Sequence, residues 1–341
     1  MLGNPDLIGI DIGQYAIKIA RLKKSGKSFV SNFLGYEIVP STVRESKDRQ
    51  ALKDFISQIL KSKIYKLTKG QPVIHVNVGD TIMRNVMVPE DVSAEGLEGA
   101  IELDLSPALP FSIDQVYFDF ENQPGKDGSY LTIASRRDIV DAKTALFANK
   151  AKTLLTPQVD VDVFAYERLV ENLIQAGEVS GSTVAILDIG YNRSRLFVYQ
   201  NGQYVFAREP QIGGNQATEV IRDIYDIDME TAETRKLNKA FGAEYNDSVL
   251  TPYSHSLAEQ INLAIDFYEA SSAEATKLDS IYLTGGGSQL QDLVPALKTL
   301  LTVPTELLSL SSHIKLQSGQ SELLQSGLNH GLAIGLAMEG K

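Results

Sequence analysis

The sequence predicts an α/β protein built by duplication: two halves with mixed sheets, and a small α+β unit inserted into the first half. Two observations carry this prediction. An apolar strand ending in Asp-Ile-Gly occurs twice, within Leu7–Ala20 and within Val184–Val198, near the start of each half. A third apolar strand, Ser280–Thr284, runs into Gly285, Gly286 and Gly287 and then into a helical pattern. One such hairpin is a weak signal, whereas its recurrence at the head of two halves points to a repeated unit.

Size and charge narrow the function. A chain of 341 residues exceeds one ordinary core and implies at least two domains. The net charge of −11, from 32 Lys and Arg against 43 Asp and Glu, argues against duplex nucleic acid or an anionic lipid surface as the main partner. With no cysteine there is no disulfide, thiolate metal site or cysteine nucleophile. The four histidines, His75, His255, His313 and His330, lie far apart and form no ligand pair. No apolar run approaches the ~20 residues of a membrane span, and the N-terminus lacks a signal pattern. The expectation is a soluble protein that meets a membrane only through a partner.

The elements follow in order. Residues 7–12 read as a buried strand, with Ala16–Ala20 returning and Ser28–Val39 completing a meander. Leu52, Phe55, Ile56, Ile59 and Leu60 mark an amphipathic helix, and Val73–Val78 a further strand. The insert opens with Ile82–Val88, followed by an acidic helix over Glu95–Asp104 and the apolar segment Leu105–Phe111. Strands at Val116–Glu121 and Tyr130–Ser135 flank the turn 123–128. A helix from Arg137 to about 149 and a strand from 155 to 161 close it. Phe164–Ala176 is helical. The second hairpin then precedes a strand Tyr204–Arg208 introduced by Asn201-Gly202, the usual hairpin dipeptide. Helices are expected over 216–225, 231–239, 256–271 and 290–301, with a small-residue helix over 331–337. The implied divisions are 1–84, an insert 85–155, a connecting segment 156–182, a second half 183–325 and a closing helix 326–341.

The residues at the turns suggest an anion site. Gly13 and Gly190 let the backbone pass close to a ligand, and the turn amides of Gly190, Tyr191 and Asn192 suit an anion. Asp188 at the mouth suits a hydrated Mg²⁺. Lys18 reads either as a solvated strand lysine or as a neutralising charge. Gly213-Gly214 opens a helix, which is plain loop chemistry or an anion-favouring N-terminus. The glycine run 285–287 is either a flexible turn or a flat surface for a purine. Glu233 and Lys236 share a helix face, as a surface ion pair also would.

In this order the two Asp-Ile-Gly hairpins and the Thr284–Gly287 loop resemble the actin, heat-shock ATPase and sugar kinase superfamily, whose halves are ribonuclease H-like. The resemblance spans nearly the whole chain. Residues 157–165 and the final small helix resemble that superfamily's connecting elements, and Ala232–Lys236 its nucleoside-holding helix. It implies ATP or ADP between actin-like halves. Gly13, Gln14, Tyr15, Lys18, Gly190, Tyr191 and Asn192 would lie at the phosphates. Gly213, Gly214, Glu233, Lys236, Gly285, Gly286 and Gly287 would surround the nucleoside, with Asp11 and Asp188 at Mg²⁺. Asp160 and Asp188 are the candidate catalytic carboxylates, Asp160 orienting water, with slow turnover expected. Tyr15 and Tyr191 depart from the pattern, being bulkier than is usual in such loops.

More narrowly, Val86–Pro89, the acidic helix, Leu109-Pro-Phe111, Val116–Asp119 and Val159–Ala165 resemble the FtsA-like PilM family of type IV pilus assembly. That resemblance implies a scaffold docking the cytoplasmic N-terminal tail of an inner-membrane PilN-type partner. The acidic helix with Glu95, Glu98 and Glu102 reads either as a solvated face or, beside the apolar segment 105–111, as a groove for a tail with apolar residues followed by Arg or Lys. The alternatives are a sugar or acid kinase of the superfamily, and an FtsA-like polymerising division protein. No sugar-binding set of side chains accompanies Asp160 and Asp162, and 337–341 is not an amphipathic membrane helix.

Overall fold

The computed structural model describes residues 6–25, 28–46, 48–62, 70–89, 91–123, 128–147, 156–271, 276–310, 314–316 and 330–338. The first Asp-Ile-Gly segment is strand Asp6–Ile12 (β1), returning as Ala16–Ser25 (β2) and continuing as Ser28–Ile38 (β3). A short helix Ser41–Arg44 (α1) and helix Arg49–Lys61 (α2) follow. Asp48 caps α2 by accepting from the Gln50 amide, supplying a partner for an orphan donor of the first turn. Gly70–Val76 (β4) runs parallel to β1.

The insert comprises strand Thr81–Met87 (β5), helix Leu97–Leu105 (α3), strands Val116–Asn122 (β6) and Ser129–Arg136 (β7), and helix Arg137–Thr144 (α4). Its strands form their own sheet in the order β5-β7-β6. The expected turn residues 124–127, helix end 148–149 and strand start at 155 lie outside the described residues. Gln158–Val161 (β8) then rejoins the first sheet beside β4, and Asp162–Ala176 (α5) follows. Gly177 ends α5 at φ +75°, a left-handed cap that glycine takes without strain.

The second half repeats the hairpin as Thr183–Ile189 (β9) and Ser194–Gln200 (β10), with Gln203–Arg208 (β11) after it. Asn201 and Gly202 have φ of 53° and 83°, the conformation that the favoured two-residue hairpin turn demands. Helices Gly214–Tyr225 (α6), Met229–Leu237 (α7) and Thr251–Ser271 (α8) precede strand Ser280–Thr284 (β12). Helix Leu293–Leu300 (α9), strands Thr305–Leu307 (β13) and Ile314–Leu316 (β14) and helix Gly331–Leu336 (α10) complete the described chain. Helices α5, α6, α7 and α8 all start earlier than expected, α5 and α7 by two residues. α6 begins at its second glycine, and α8 at Thr251, where a π-helical turn over Asn246–Leu250 runs directly into it and the Thr251 amide donates to the Asn246 carbonyl.

The sheets run β14-β3-β2-β1-β4-β8 and β11-β10-β9-β12-β13. Thus β14, late in the sequence, adds to the edge of the first half's sheet beside β3. Helices α5 and α10 lie between the sheets. Their Tyr166, Leu169, Leu332 and Leu336 share one apolar cluster with Leu22 and Val73 of the first sheet and Ile186 and Phe197 of the second. Small residues permit this. A Cβ on Gly9 would stand 1.9 Å from the Ala333 carbonyl oxygen, and one on Gly335 2.1 Å from that of Ala165. The outer faces carry their own helices, α2 on the first sheet, and α6, α8 and α9 on the second. In the insert, Leu105 is fully buried with Val116 and Ala134, and Leu109 and Phe111 pack against them. Leu105, expected to line a docking groove, is spent on the insert's own core, whereas Leu109 and Phe111 stay half-buried and Ser106, Pro107 and Pro110 are exposed.

Candidate functional site

The two hairpins are built alike. In each, the glycine amide closes its own turn: Gly13 N–H donates to the Ala16 carbonyl at 3.1 Å, and Gly190 N–H to that of Arg193 at 3.0 Å. Cross-strand pairing puts Asp11 opposite Lys18 and Asp188 opposite Arg195, the same seven-residue step. Lys18 Nζ lies 2.9 Å from Asp11 Oδ2, and an Arg195 guanidinium nitrogen 2.5 Å from Asp188 Oδ2. Burial works against the charge on Asp11, but Lys18 and His75, helped by Arg195, outweigh it and hold the carboxyl well below the usual carboxylate range. Among the described residues, no hydrogen bond engages the amides of Gln14, Tyr15, Tyr191 or Asn192, which remain as donors at the turns.

Between the hairpins lies a cleft of about 390 Å³, within the range of small-molecule sites. Five cationic side chains line it (Lys18, Lys143, Arg193, Arg195 and Lys236) against the four carboxylates Asp11, Asp80, Asp188 and Glu233. In a chain of net charge −11 that is a local reversal of sign. Arg195 is the centre of it. It also reaches fully buried Asp162 at 3.1 Å, so it joins the first residue of α5 to the second hairpin. Burial disfavours its charge, yet Asp188 and Asp162 more than compensate and hold the guanidinium firmly protonated. Asp188 also accepts from the Tyr166 hydroxyl at 3.0 Å. Asp162 also accepts from the Val78 amide at 2.9 Å.

At the other end, the Glu233–Lys236 pair is buried, not a surface pair, with Lys236 Nζ 2.6 Å from Glu233 Oε2. Lys236 donates as well to the Gly214 carbonyl and to Thr218 Oγ1. Burial lowers its pKa, and Glu233 opposes that shift. The glycine loop comes close to the second hairpin. A Cβ at Gly285, whose φ is +84°, would stand 2.2 Å from Asp188 Oδ1, and one at Gly287 would stand 2.3 Å from Ile189 Cγ2.

Of the residues singled out in the sequence, Asp11, Gly13, Gln14, Tyr15, Lys18, Asp188, Gly190, Tyr191, Gly214, Glu233, Lys236, Gly286 and Gly287 line the cleft. Asn192, Gly213, Gly285 and Asp160 do not. Asp160 is paired with Arg168 of α5. Gly213 lies beneath the second hairpin, where a Cβ would stand 2.5 Å from the Tyr191 carbonyl. The α6 N-terminus is likewise used internally: the Gly214 and Asn215 amides donate to the Gly190 and Tyr191 carbonyls at 2.9 and 2.7 Å. Sequence reading missed Arg195, Lys143 and His75. Arg195 was findable, because it repeats the Asp11-to-Lys18 spacing.

The cleft fits a nucleotide. It is cationic at the hairpins, its glycine loop leaves a surface without side chains, and it is lined by buried His75, whose Nε2 stands 3.5 Å from Asp11 Oδ1 and whose Nδ1 has no hydrogen-bond partner. A metal fits only in company with phosphates. Among the described residues no cluster of three acidic or histidine side chains could hold one, and Asp11 and Asp188 already face cations.

The family described as type IV pilus assembly protein PilM matches residues 9–341. Among solved structures, the PilM-PilN type IV pilus biogenesis complex is similar with a TM-score of 0.77 at 22% identity, over 98% of this chain and 98% of that one. Ethanolamine utilization protein EutJ from Carboxydothermus hydrogenoformans is similar with a TM-score of 0.53 at 17% identity, over 98% of this chain and 90% of that one. At these identities the likeness is one of fold, and the duplicated actin-like architecture with an inserted α+β unit is as the sequence predicts. No helix of the described residues is long and apolar enough to cross a membrane.

Proposed function

The chain belongs to the family of type IV pilus assembly protein PilM, and on that premise we propose that it is an ATP-binding, actin-like scaffold of pilus assembly. In this reading it sits at the cytoplasmic face of the inner membrane by holding the short N-terminal tail of a PilN-type partner. The observation that carries the nucleotide half is the cation-rich cleft between two hairpins that repeat one Asp-to-cation pair. Lys18 and Arg195 offset phosphate charge there, and the amides of Gln14, Tyr15 and Tyr191 donate to phosphate oxygens. Gly214, Glu233, Lys236, Gly286 and Gly287 hold the nucleoside. Mg²⁺ enters with the phosphates, and Asp11 and Asp188 reach it through water. Bound ATP supplies a phosphoanhydride whose hydrolysis is slow, because Asp160 is engaged by Arg168 away from the cleft.

The partner half rests on the family and on the insert's surface. Glu95, Glu98 and Glu102 of the acidic segment are exposed, and so are Leu103 (79%) and Met87 (68%). A tail with apolar residues followed by Arg or Lys complements that surface. Neither the kinase nor the division-protein reading is favoured beside a family match over residues 9–341. Fluorescence anisotropy with a labelled PilN-type tail peptide tests the docking. Binding by the full chain should fall when Glu98 and Glu102 are both changed to Lys. Undiminished binding would move the docking surface off α3.

A further inference from the structure

We propose that Lys143, a residue of the insert, is a ligand for the terminal phosphate of the nucleotide, so that the insert senses directly whether that phosphate is present. The proposal rests on the nucleotide-binding reading above. Lys143 lies in the last turn of α4 and belongs to the insert by sequence, yet its side chain reaches out of the insert. Its Nζ donates to the His75 carbonyl at 2.7 Å, at the end of β4, and it lines the same cleft as Asp11, Lys18 and Arg195.

Two features make this lysine a ligand and not merely a strut. An ammonium has three donors, and the carbonyl uses one of them. Among the described residues no carboxylate lies within 4 Å of it, because each acidic neighbour is engaged elsewhere. Asp11 faces Lys18, Asp162 and Asp188 face Arg195, and Asp80 accepts from the Asn77 amide nitrogen at 3.2 Å. Burial lowers its pKa, with Asp80 and Asp162 opposing that and Arg195 adding to it, as expected of an ammonium short of close anions. A half-buried cation without a close counter-ion is costly, and an anion entering the cleft relieves it.

Position identifies which phosphate. Lys143 is held on the carbonyl of His75, whose ring stands 3.5 Å from Asp11 of the first hairpin, whereas Lys236 at the other end is bonded to Glu233 and to the Gly214 carbonyl. Lys143 therefore stands on the Asp11 side of the cleft, away from the Glu233–Lys236 pair to which the nucleoside is assigned. Because α4 follows β7 without a break, a bond from Lys143 to the terminal phosphate ties the insert's sheet to the first half. Loss of that phosphate removes this second tie and leaves the bond from Lys143 to the His75 carbonyl, which is a differential interaction of the kind a nucleotide-dependent switch requires.

Calorimetry on the full chain tests this with Lys143→Met, which keeps the aliphatic stem and removes the charge. ATP affinity should fall about tenfold or more, as expected for a charge-assisted hydrogen bond, and ADP affinity by much less. Equal changes for ATP and ADP, or none, would overturn the assignment while leaving nucleotide binding itself intact. A wild-type chain that binds neither nucleotide would remove the underlying reading and the proposal with it. Should the variant not fold, hydrogen exchange on the wild-type chain decides. Residues 137–144 should be protected more by ATP than by ADP, and equal protection would contradict the proposal.

Discussion

Tyr15 and Tyr191 stack across the cleft, ring centroids 5.5 Å apart and planes inclined by 26°, each at the tip of its own half's hairpin. The Arg44 guanidinium lies over both rings, 4.8 Å from one centroid and 5.7 Å from the other. The bulky residues that depart from the usual phosphate-loop pattern thus meet each other, and they join the halves at the mouth of the cleft. An aromatic pair of this kind contributes about 0.5–1.5 kcal/mol beyond its buried area. The Tyr15→Ala and Tyr191→Ala variants should therefore be non-additive in a double-mutant cycle of thermal stability. Additive effects would mean that the stack holds nothing together.

Arg195 is the second tie between the halves. Replacing it by Ala strands the carboxylates of Asp162 and Asp188 in buried positions. Breaking a buried pair in this way costs about 3–5 kcal/mol. Urea unfolding of Arg195→Ala should show a loss of that order, and a loss below about 1 kcal/mol would show that the network is relaxed by water.

These two ties illustrate what the sequence discloses. The hairpins are legible because glycine after an apolar strand has a local cause, and Asn201-Gly202 likewise specifies its own turn. Arg195 was legible only by comparing the two repeats. Lys143 carried no local signal, since its place in the cleft depends on the insert folding back onto β4, 68 residues away in sequence from His75. Leu105 misled for a related reason. It looked like groove lining beside an acidic face, but its spacing from Leu97 and Ile101 puts it on the inner side of α3, where the insert needs a core. Asp160 faced the right way along its strand, but Arg168, two turns into α5, claims it.

Glu167 gives a pH test. Burial pushes its carboxyl up to about 7 from 4.5, although the Tyr204 amide donates to it at 2.6 Å. A folded-state pKa above the unfolded one means that this group's contribution is fully present below 4.5 and is lost as pH rises through about 7. Glu167→Gln should therefore raise the melting temperature relative to wild type at pH 8 and leave it nearly unchanged at pH 4.5. An identical difference at both pH values would contradict the burial account.

Turnover should be slow. No carboxylate of the cleft is free of a basic or hydrogen-bonding partner to position water, so unassisted hydrolysis should run at roughly 10⁻² per second or less, as in switch NTPases without their activators. A purified chain turning over several ATP per second without a partner would refute this.

Gly286 lines the cleft in the loop proposed to hold the nucleoside. Gly286→Val should reduce ATP affinity at least about tenfold by filling the purine surface, with the circular dichroism spectrum unchanged. A folded variant with normal affinity would place the base elsewhere.

Hydrogen exchange of the full wild-type chain with and without Mg·ATP tests the central claim most directly, because it needs no mutation. Protection should appear together in three segments distant in sequence: 11–18, 188–195 and 284–289. Protection in one hairpin alone, or in none of the three, would contradict a nucleotide clamped between the duplicated halves.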